Sequence, residues 1–233
     1  MKSTLLALVL GGGAMAAATA HAAVITNGSF ETNAPTSGNS FTPGIGSTQI
    51  TGWTVINNDG STTNNGHNVL WISNGGFGLF TPFGTAFIDL TGTTDATPFD
   101  GLTQEVSTVV GQSYNLTFDL GVQGTTGVFG GPVSVTASAG ATSGTFLDTG
   151  EITPDSTTIN GTVWTPETLA FTATSASTAI SLVGETGIQF IGLDNVSLGS
   201  SVPEPATWVM MLVGLGGLGA ATRTRRRANT ATA

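Results

Sequence analysis

The alternation of apolar and polar side chains is the feature that most constrains the fold of this chain. Over residues 114–122, apolar side chains occupy every second position, and polar or small residues stand between them. A period of two places one face of a β-strand in a core and the other in water, whereas a helix needs a period of 3.6. Residues 133–139 repeat the pattern, and no stretch of the body shows a convincing helical period. The body is therefore predicted to be all-β.

Clusters of glycine and asparagine separate the predicted strands. Both residues tolerate positive φ, so these clusters predict tight turns. About ten short strands without helices favour a β-sandwich of the jelly-roll type, which we predict over residues 23–198. The other strands are predicted at residues 50–56, 68–73, 85–90, 102–109, 169–173, 180–182 and 188–198.

The last predicted strand changes phase twice. Ile188 is in one register, Leu193 is in the other, and Val196 is in the first again. A β-bulge produces such a change, and bulges often re-aim a side chain at a functional site. Asp194 stands at the second change of phase, so we expect it to lie at a bulge.

The N-terminal end has the pattern of an export signal. Lys2 supplies a positive charge, residues 5–18 are mostly apolar, and Ala20-His21-Ala22 fits the small-x-small rule for cleavage. We predict that residues 1–22 are a cleaved signal peptide. The alternative, a membrane anchor, is disfavoured because the apolar run is short and rich in alanine and glycine.

Charge is segregated along the chain. All five Lys and Arg residues lie outside residues 23–205, and all fourteen Asp and Glu residues lie inside. Apart from His67 when protonated, the body has no basic side chain to neutralise phosphates, which argues against nucleic-acid binding and against attraction to an anionic membrane surface. Its natural charged partners are cations, Ca²⁺ above all. The chain has no cysteine, so no disulfide stabilises the body.

The C-terminal tail differs from the body. A linker at 199–202 precedes Pro203-Glu204-Pro205, and an apolar run follows over residues 206–221. We predict a transmembrane helix at 206–222, a little short for a full span. The run is apolar on all sides, unlike an amphipathic core helix. By the positive-inside rule the terminal arginines stay in the cytoplasm, which places the body outside the inner membrane. These anchoring residues are Arg223, Arg225, Arg226 and Arg227.

Together, Pro203-Glu204-Pro205, the Gly-rich apolar helix and the arginine cluster resemble the PEP-CTERM sorting signal over residues 203–227. This tail is also labelled an ice-binding-protein C-terminal domain. The resemblance implies that an exosortase-type membrane protease recognises Pro-Glu-Pro and cuts nearby. The protein would then be anchored in the inner membrane transiently and be released or re-anchored at the cell surface. Pro-Glu-Pro also fits a stiff, extended spacer, and the two interpretations are compatible.

The body resembles the galactose-binding-like jelly rolls, which include carbohydrate-binding modules and the DUF642 and choice-of-anchor domains. The resemblance rests on Asn27-Gly28-Ser29-Phe30-Glu31 and on Leu193-Asp194-Asn195-Val196-Ser197-Leu198. It implies a structural Ca²⁺ held by Glu31, Asp194 and backbone carbonyls. Hard oxygen ligands suit Ca²⁺, and the body offers these acids no salt-bridge partner. In the alternative, Glu31 caps a turn and Asp194 accepts hydrogen bonds from backbone N–H groups.

Sugar binding needs aromatic platforms and polar groups. Four large aromatic residues stand in alternating strand patterns, so each is predicted to lie in the core rather than on a platform. The loop at 57–68, with Asp59 and His67, is polar enough to contact sugar or Ca²⁺, and it is also an ordinary loop. The four aromatic residues are Trp53, Trp71, Tyr114 and Trp164.

Catalysis is disfavoured by the residues that the body lacks. It has no cysteine or lysine and only one histidine, so a serine triad would have to use His67, and no Gly-x-Ser-x-Gly elbow is present. We expect an exported, non-catalytic surface or extracellular-matrix protein that binds polysaccharide or has a structural role in a biofilm. The alternatives are a carboxylate-based glycan hydrolase and a purely structural surface protein without a ligand.

Overall fold

The computed structural model describes residues 23–36, 38–95, 97–125 and 128–200. Two antiparallel sheets, one of seven strands and one of five, pack face to face. The predicted all-β, jelly-roll sandwich is confirmed. Across the described residues, no helix has the length and apolar character needed to span a membrane. The predicted signal peptide at 1–22 and hydrophobic helix at 206–222 lie outside these ranges.

Twelve strands build the two sheets. They are β1 (Ser40–Phe41), β2 (Thr54–Ile56), β3 (Leu70–Ser73), β4 (Ala86–Asp89), β5 (Gly101–Ser107), β6 (Ser113–Val122), β7 (Val133–Ala139), β8 (Thr142–Asp148), β9 (Thr157–Ile159), β10 (Thr162–Thr172), β11 (Ser177–Thr186) and β12 (Gly192–Ser200). A single 3-10 turn, Gly76–Gly78, is the helical element of the described chain. The larger sheet has the order β1-β3-β4-β12-β6-β10-β9, and the smaller has the order β2-β5-β11-β7-β8.

The main core lies between the sheets, and β6 shows how the sequence builds it. Tyr114, Leu116 and Phe118 are buried in this core, and Asn115 and Thr117 between them point to the other face of the sheet. The alternation that predicted the strand therefore also selects its buried face. The apolar surface that these side chains remove from water is the main stabilising contribution in a chain without disulfides.

A second hydrophobic cluster covers the outer face of the seven-stranded sheet. Its members alternate with main-core residues along β3, β4 and β10, which places them on the opposite face. Trp164 lies over Gly121 of the neighbouring strand, where a Cβ atom would lie 2.7 Å from the indole ring. Glycine at this position therefore makes room for the ring. The buried members are Leu70, Ile72, Leu79, Phe87, Trp164 and Phe190.

The last strand contains the predicted bulge. The pairing of β12 with β6 changes register between Asp194 and Ser197. Between them, Asn195 has a φ of 53°, in the left-handed region that asparagine tolerates better than most residues. Asp194 is the last residue paired before the irregularity, opposite Asp119 of β6, and its side chain is fully buried.

The segment before β1 lies against β12 through a close backbone approach. The carbonyl of Gly28 accepts a hydrogen bond of 2.9 Å from the backbone N–H of Val196. A Cβ atom at Gly28 would lie 1.8 Å from the carbonyl oxygen of Val196. Only glycine fits here without a backbone shift, which explains this glycine in the N-terminal motif.

We expect Gly28→Ala to lower the free energy of unfolding by about 1–3 kcal/mol, because the added methyl group forces two backbone segments apart. Thermal melting of the purified full chain measures the loss. Gly44→Ala is the matched control, since a Cβ atom there meets nothing within 4 Å. The control should change stability by less than about 0.5 kcal/mol. Equal melting temperatures for both variants would contradict the close approach at Gly28.

Candidate functional site

The two residues predicted as calcium ligands meet at one loop, residues 74–85, on the outer face of the seven-stranded sheet. Asn74 organises this loop, because its Nδ2 donates to the carbonyls of Thr81 and Gly84, each at 2.9 Å. Asp194 contacts the middle of the loop and Glu31 contacts its end. Residues that are 163 positions apart in the sequence are thus brought to the same segment.

Asp194 is a buried acid whose carboxylate accepts only two hydrogen bonds from the described residues. Its Oδ2 accepts a hydrogen bond of 2.5 Å from the Thr81 hydroxyl, and its Oδ1 accepts one of 2.7 Å from the N–H of Asn195. Burial raises the pKa of Asp194 to about 8; the bonds from Thr81 and Asn195 lower this pKa, and the charges of Glu31 and Asp119 raise it. The carboxyl group therefore lacks a compensating positive charge.

Glu31 holds the end of the loop. One carboxylate oxygen accepts hydrogen bonds from the N–H groups of Thr85, at 2.8 Å, and Ala86, at 3.0 Å. The other oxygen accepts from the Thr85 hydroxyl. Glu31 thus caps the turn into β4, the arrangement predicted as the alternative to metal binding.

The oxygen atoms at this loop are ligands that suit a hard cation, although two carboxylates alone are too few to coordinate one. Within the described ranges, no group of three or more His, Cys, Asp or Glu side chains could hold a metal ion. Asp194 accepts two hydrogen bonds where a carboxylate has about four lone-pair sites. Glu31 and Asp194 therefore fit Ca²⁺ only if backbone carbonyls complete the coordination, as oxygen-rich calcium sites allow.

A cleft of about 320 Å³ opens on the same outer face, between β1, β3, the 3-10 turn and the residues after β4. The buried side chains of Leu70, Ile72 and Leu79 form its apolar base. Phe77 and Phe129 line it with aromatic rings. This volume lies at the lower end of the range for small-molecule sites.

Phe77 is the most unusual residue of the cleft. Its side chain is 59% exposed, and its backbone has φ 54° and ψ 14°, in the left-handed region. This conformation is unfavourable for a bulky residue, and strained residues of this kind cluster at functional sites. Neither burial nor backbone preference explains a phenylalanine here, so the ring is a candidate ligand platform.

Asp89 is the buried polar group of the cleft, with a side chain 3% exposed. Its Oδ1 accepts hydrogen bonds from the N–H and hydroxyl of Thr91, at 3.0 and 2.9 Å, and from the N–H of Ile191, at 3.1 Å. Burial raises the pKa of Asp89 to about 7, these bonds lower it, and the charge of Asp95 raises it. Thr93, Asp95 and Gln189 complete the polar lining.

A second groove of about 430 Å³ lies at the other side of β1 and is lined by Phe41 and Trp71. Its amide side chains have partners within the protein: Asn33 donates to the Thr51 hydroxyl and Asn39 donates to that of Thr36. Trp71 is almost fully buried, so it offers little of its ring. This groove has fewer free polar groups than the cleft at Phe77.

The four aromatic residues weighed as sugar platforms are all buried, which confirms their prediction as core residues. Two indole groups hold the N-terminal motif: Trp53 donates to the carbonyl of Asn27 at 3.1 Å and Trp71 to that of Phe30 at 3.0 Å. The Trp164 indole donates to the carbonyl of Phe80 at 2.7 Å. The Tyr114 hydroxyl accepts from the N–H of Val109.

The polar loop at 57–68 uses many of its side chains internally. Asn57 Oδ1 accepts from the N–H groups of Asp59 and Ser61, each at 3.1 Å. Burial raises the pKa of Asp100, beside this loop, whereas the hydrogen bond from Asn65 and the charge of His67 lower it. The loop lies outside the cleft at Phe77, since none of its residues lines that cleft.

Sequence reasoning missed Phe77, Phe129 and Asp89. A signal was present for the first, because Gly75-Gly76-Phe77-Gly78 puts an aromatic residue in a turn too glycine-rich for a strand. Phe129 stands beside a similar Gly130-Gly131 pair. Asp89 gave no signal, because it lies in the strand predicted at 85–90, in which a polar residue is expected to point to water.

The body and the C-terminal tail of the chain each match a known protein family or motif. Residues 23–189 match the family described as "Protein of unknown function (DUF642)". Residues 201–227 match the PEP-CTERM protein-sorting motif. This segment contains Pro203-Glu204-Pro205 and the terminal arginine cluster, all of which lie outside the described residues. No curated protein matches the chain.

Several solved structures share the sandwich at low identity. One, titled "CBM4 structure and function", is 17% identical, with a TM-score of 0.38, 76% of this chain and 99% of that chain covered. A CBM35 from Paenibacillus barcinonensis is 13% identical, with a TM-score of 0.39; the match covers 70% of this chain and 100% of that chain. An arabinose-bound α-L-arabinofuranosidase is 13% identical, with a TM-score of 0.43; the match covers 78% of this chain and 27% of that chain.

Proposed function

This chain belongs to the DUF642 family, and we propose that it is an exported, non-catalytic protein that binds polysaccharide at the cell surface or in the extracellular matrix. The observation that carries the proposal is the exposed Phe77 ring, held in a left-handed backbone conformation at an open cleft. Sugar rings stack on exposed aromatic side chains, and their hydroxyl groups bond to neighbouring polar groups. Asp89, Thr93 and Gln189 supply such groups here.

The sorting motif supports the exported location. An exosortase-type membrane protease is the partner that Pro203-Glu204-Pro205 implies, with the arginine cluster at 223–227 on the cytoplasmic side before processing. The body would then face the exterior, which is the location of extracellular polysaccharide. A binding body on a sorted tail would attach the protein to this polymer within a biofilm.

We further propose a Ca²⁺ ion bound by Glu31, Asp194 and nearby backbone carbonyls. The support is the buried Asp194 carboxyl, on which the charges of Glu31 and Asp119 act, in a body that has no lysine or arginine. When bound, the ion would neutralise Asp194 and join the N-terminal segment to β12 through the loop at 74–85. Its role would be structural, since Glu31 and Asp194 are not among the residues that line the cleft.

One observation favours a second candidate, a carboxylate-based glycan hydrolase. Asp89 has a pKa raised to about 7 and lies near the charge of Asp95, and a raised pKa suits a general acid. Three hydrogen bonds to Asp89 Oδ1 give it a structural role, however, at the junction of β4 and β12. Release of new reducing ends from a bound glycan, lost in both Asp89→Asn and Asp95→Asn, would favour the hydrolase.

A glycan array probed with the purified full chain tests the proposal. We expect binding to a limited set of polysaccharides, with no shortening of the bound polymers. Deletion of the gene should also change the extracellular matrix of the producing cells. If the array shows no ligand and the deletion leaves the matrix unchanged, a purely structural surface protein becomes the better account.

A further inference from the structure

We propose that the cleft at Phe77 selects polysaccharides whose sugars carry a free amine over neutral and acidic ones. This specificity rests on the proposed polysaccharide binding and names its ligand class. Two acids with unfilled hydrogen-bonding capacity, the negative charge of the body and aromatic rings meet at this cleft. Each of these features favours a ligand that donates hydrogen bonds and carries a positive charge.

The hydrogen bonds of Asp89 fall on one of its two carboxylate oxygens. All three of its hydrogen bonds go to Oδ1, from Thr91 and Ile191. Among the described residues, nothing donates to Oδ2. The side chain is 3% exposed and lines the cleft. A nearly buried carboxylate with one oxygen unbonded carries a large desolvation penalty, which a donor from a ligand would relieve.

Asp89 and Asp95 share one hydroxyl donor, that of Thr91. The Thr91 hydroxyl lies 2.9 Å from Asp89 Oδ1 and 3.2 Å from Asp95 Oδ1. A hydroxyl has one proton, so it can donate to only one of these carboxylates at a time. The charge of Asp95 also raises the pKa of Asp89. An ammonium group has three N–H donors and a positive charge. It can therefore donate a hydrogen bond to each carboxylate and compensate their negative charge.

The body has no lysine or arginine that could compete with a cationic ligand. Residues 23–200 contain no lysine or arginine, whereas thirteen of the fourteen Asp and Glu residues lie there, the other being Glu204. Within the described part of the chain, Asp89 and Asp95 therefore have no lysine or arginine to pair with. An acidic polysaccharide would be repelled by the body as a whole. A neutral sugar can donate hydrogen bonds but leaves the charge uncompensated.

The aromatic lining agrees with a cationic sugar. Phe77 and Phe129 line the same cleft as the two acids. The face of a phenyl ring attracts an ammonium group as well as the apolar face of a sugar. An amine-bearing sugar can therefore use the rings and the carboxylates together, whereas an acetylated sugar loses the charged contacts.

Glucosamine oligomers and N-acetylglucosamine oligomers of equal length test the specificity. We expect the full chain to bind the amine form about tenfold more tightly, the effect of one charge-assisted hydrogen bond. The preference should weaken with added salt. A polyuronate oligomer should bind least. Isothermal titration calorimetry at low and at physiological ionic strength measures the affinities of the three oligomers.

Asp95→Asn should abolish most of the tenfold preference. Asparagine tolerates the left-handed backbone at this position, where φ is 50°. Asp155→Asn is the control, since Asp155 is exposed and lies outside the cleft. Both variants remove one negative charge, so nonspecific attraction of a cationic oligomer falls equally in both. The preference should survive in Asp155→Asn.

The outcomes separate the two proposals. Equal affinity for the amine and acetyl forms, or a preference for the polyuronate, would overturn the specificity and leave polysaccharide binding standing. A tenfold preference that persists in Asp95→Asn would also overturn it, because the attraction would then come from the whole body. Absence of binding to any oligomer or polymer would contradict the proposed function itself.

Discussion

In EDTA, the free energy of unfolding of this protein should fall by several kcal/mol as the pH rises from about 4 to about 8. Burial raises the pKa of Asp194 to about 8 and that of Asp89 to about 7. Between the unfolded value near 4 and these folded values, the folded state binds more protons than the unfolded state, so stability decreases with increasing pH. Burial also raises the pKa of Asp100, Asp119, Asp148 and Glu167.

Calcium should reverse this loss. A cation that binds the ionised carboxylates of Glu31 and Asp194 stabilises the folded state by RT ln(1 + [L]/Kd). At pH 8 we expect Ca²⁺ to raise the melting temperature by roughly 10 °C, the shift that several kcal/mol produce in a domain of this size. At pH 5 the effect should be much smaller, because Asp194 is then protonated and the ion must displace the proton.

Asp194→Asn is the variant that isolates the site. It keeps the shape of the side chain and removes its charge, so the melting temperature in EDTA should depend less on pH and should no longer respond to Ca²⁺. Asp155→Asn should behave as the wild type does. A melting temperature that stays constant or rises with pH in EDTA would contradict the burial of these acids. A calcium effect that persists in Asp194→Asn would remove the proposed metal site.

Phe77→Gly should separate binding from stability. We expect glycan affinity to fall by at least about tenfold, as for the loss of a central aromatic contact. The free energy of unfolding should stay the same or rise by up to about 1 kcal/mol, because glycine adopts the left-handed conformation without a steric penalty. Binding assays and thermal melting of the same preparation measure the two effects.

Two further variants sharpen this result. Phe77→Tyr keeps the aromatic face and should retain binding. Val110→Ala removes an exposed apolar side chain outside the cleft and should leave affinity unchanged. If Phe77→Gly lowers the melting temperature and leaves affinity intact, the phenyl ring has a structural role and the cleft is not the binding site.

The fold class was predictable from the alternation of side chains, but not every strand was. The inner strands β10 and β11 were predicted too short, at 169–173 and 180–182, and three edge strands were missed. β6 and β7 match the predicted strands because both lie inside a sheet and bury one full face. The sequence signal missed β1, β8 and β9, which are edge strands. An edge strand such as β8, with its sequence Thr-Ser-Gly-Thr-Phe-Leu-Asp, buries little and so lacks a strong apolar period.

The candidate site was predictable only where a single segment carried its own signal. The bulge at Asp194 followed from a change of phase within nine residues of one strand. The cleft combines Phe77, Asp89 and Gln189, which are far apart in the sequence. Only the sheet order, with β4 beside β12, brings the last two together. No local pattern could indicate that Asp89 faces a cleft and not open solvent.

Chemical-shift mapping of the isotope-labelled full chain during titration with the best glycan of the array tests the central claim most directly. Our account predicts that the largest shifts arise from Phe77, Asp89, Thr93 and Gln189, with no change at Asp155. Shifts confined to the groove at Phe41, to the loop at 57–68 or to the 5-stranded sheet would contradict it and place the ligand elsewhere.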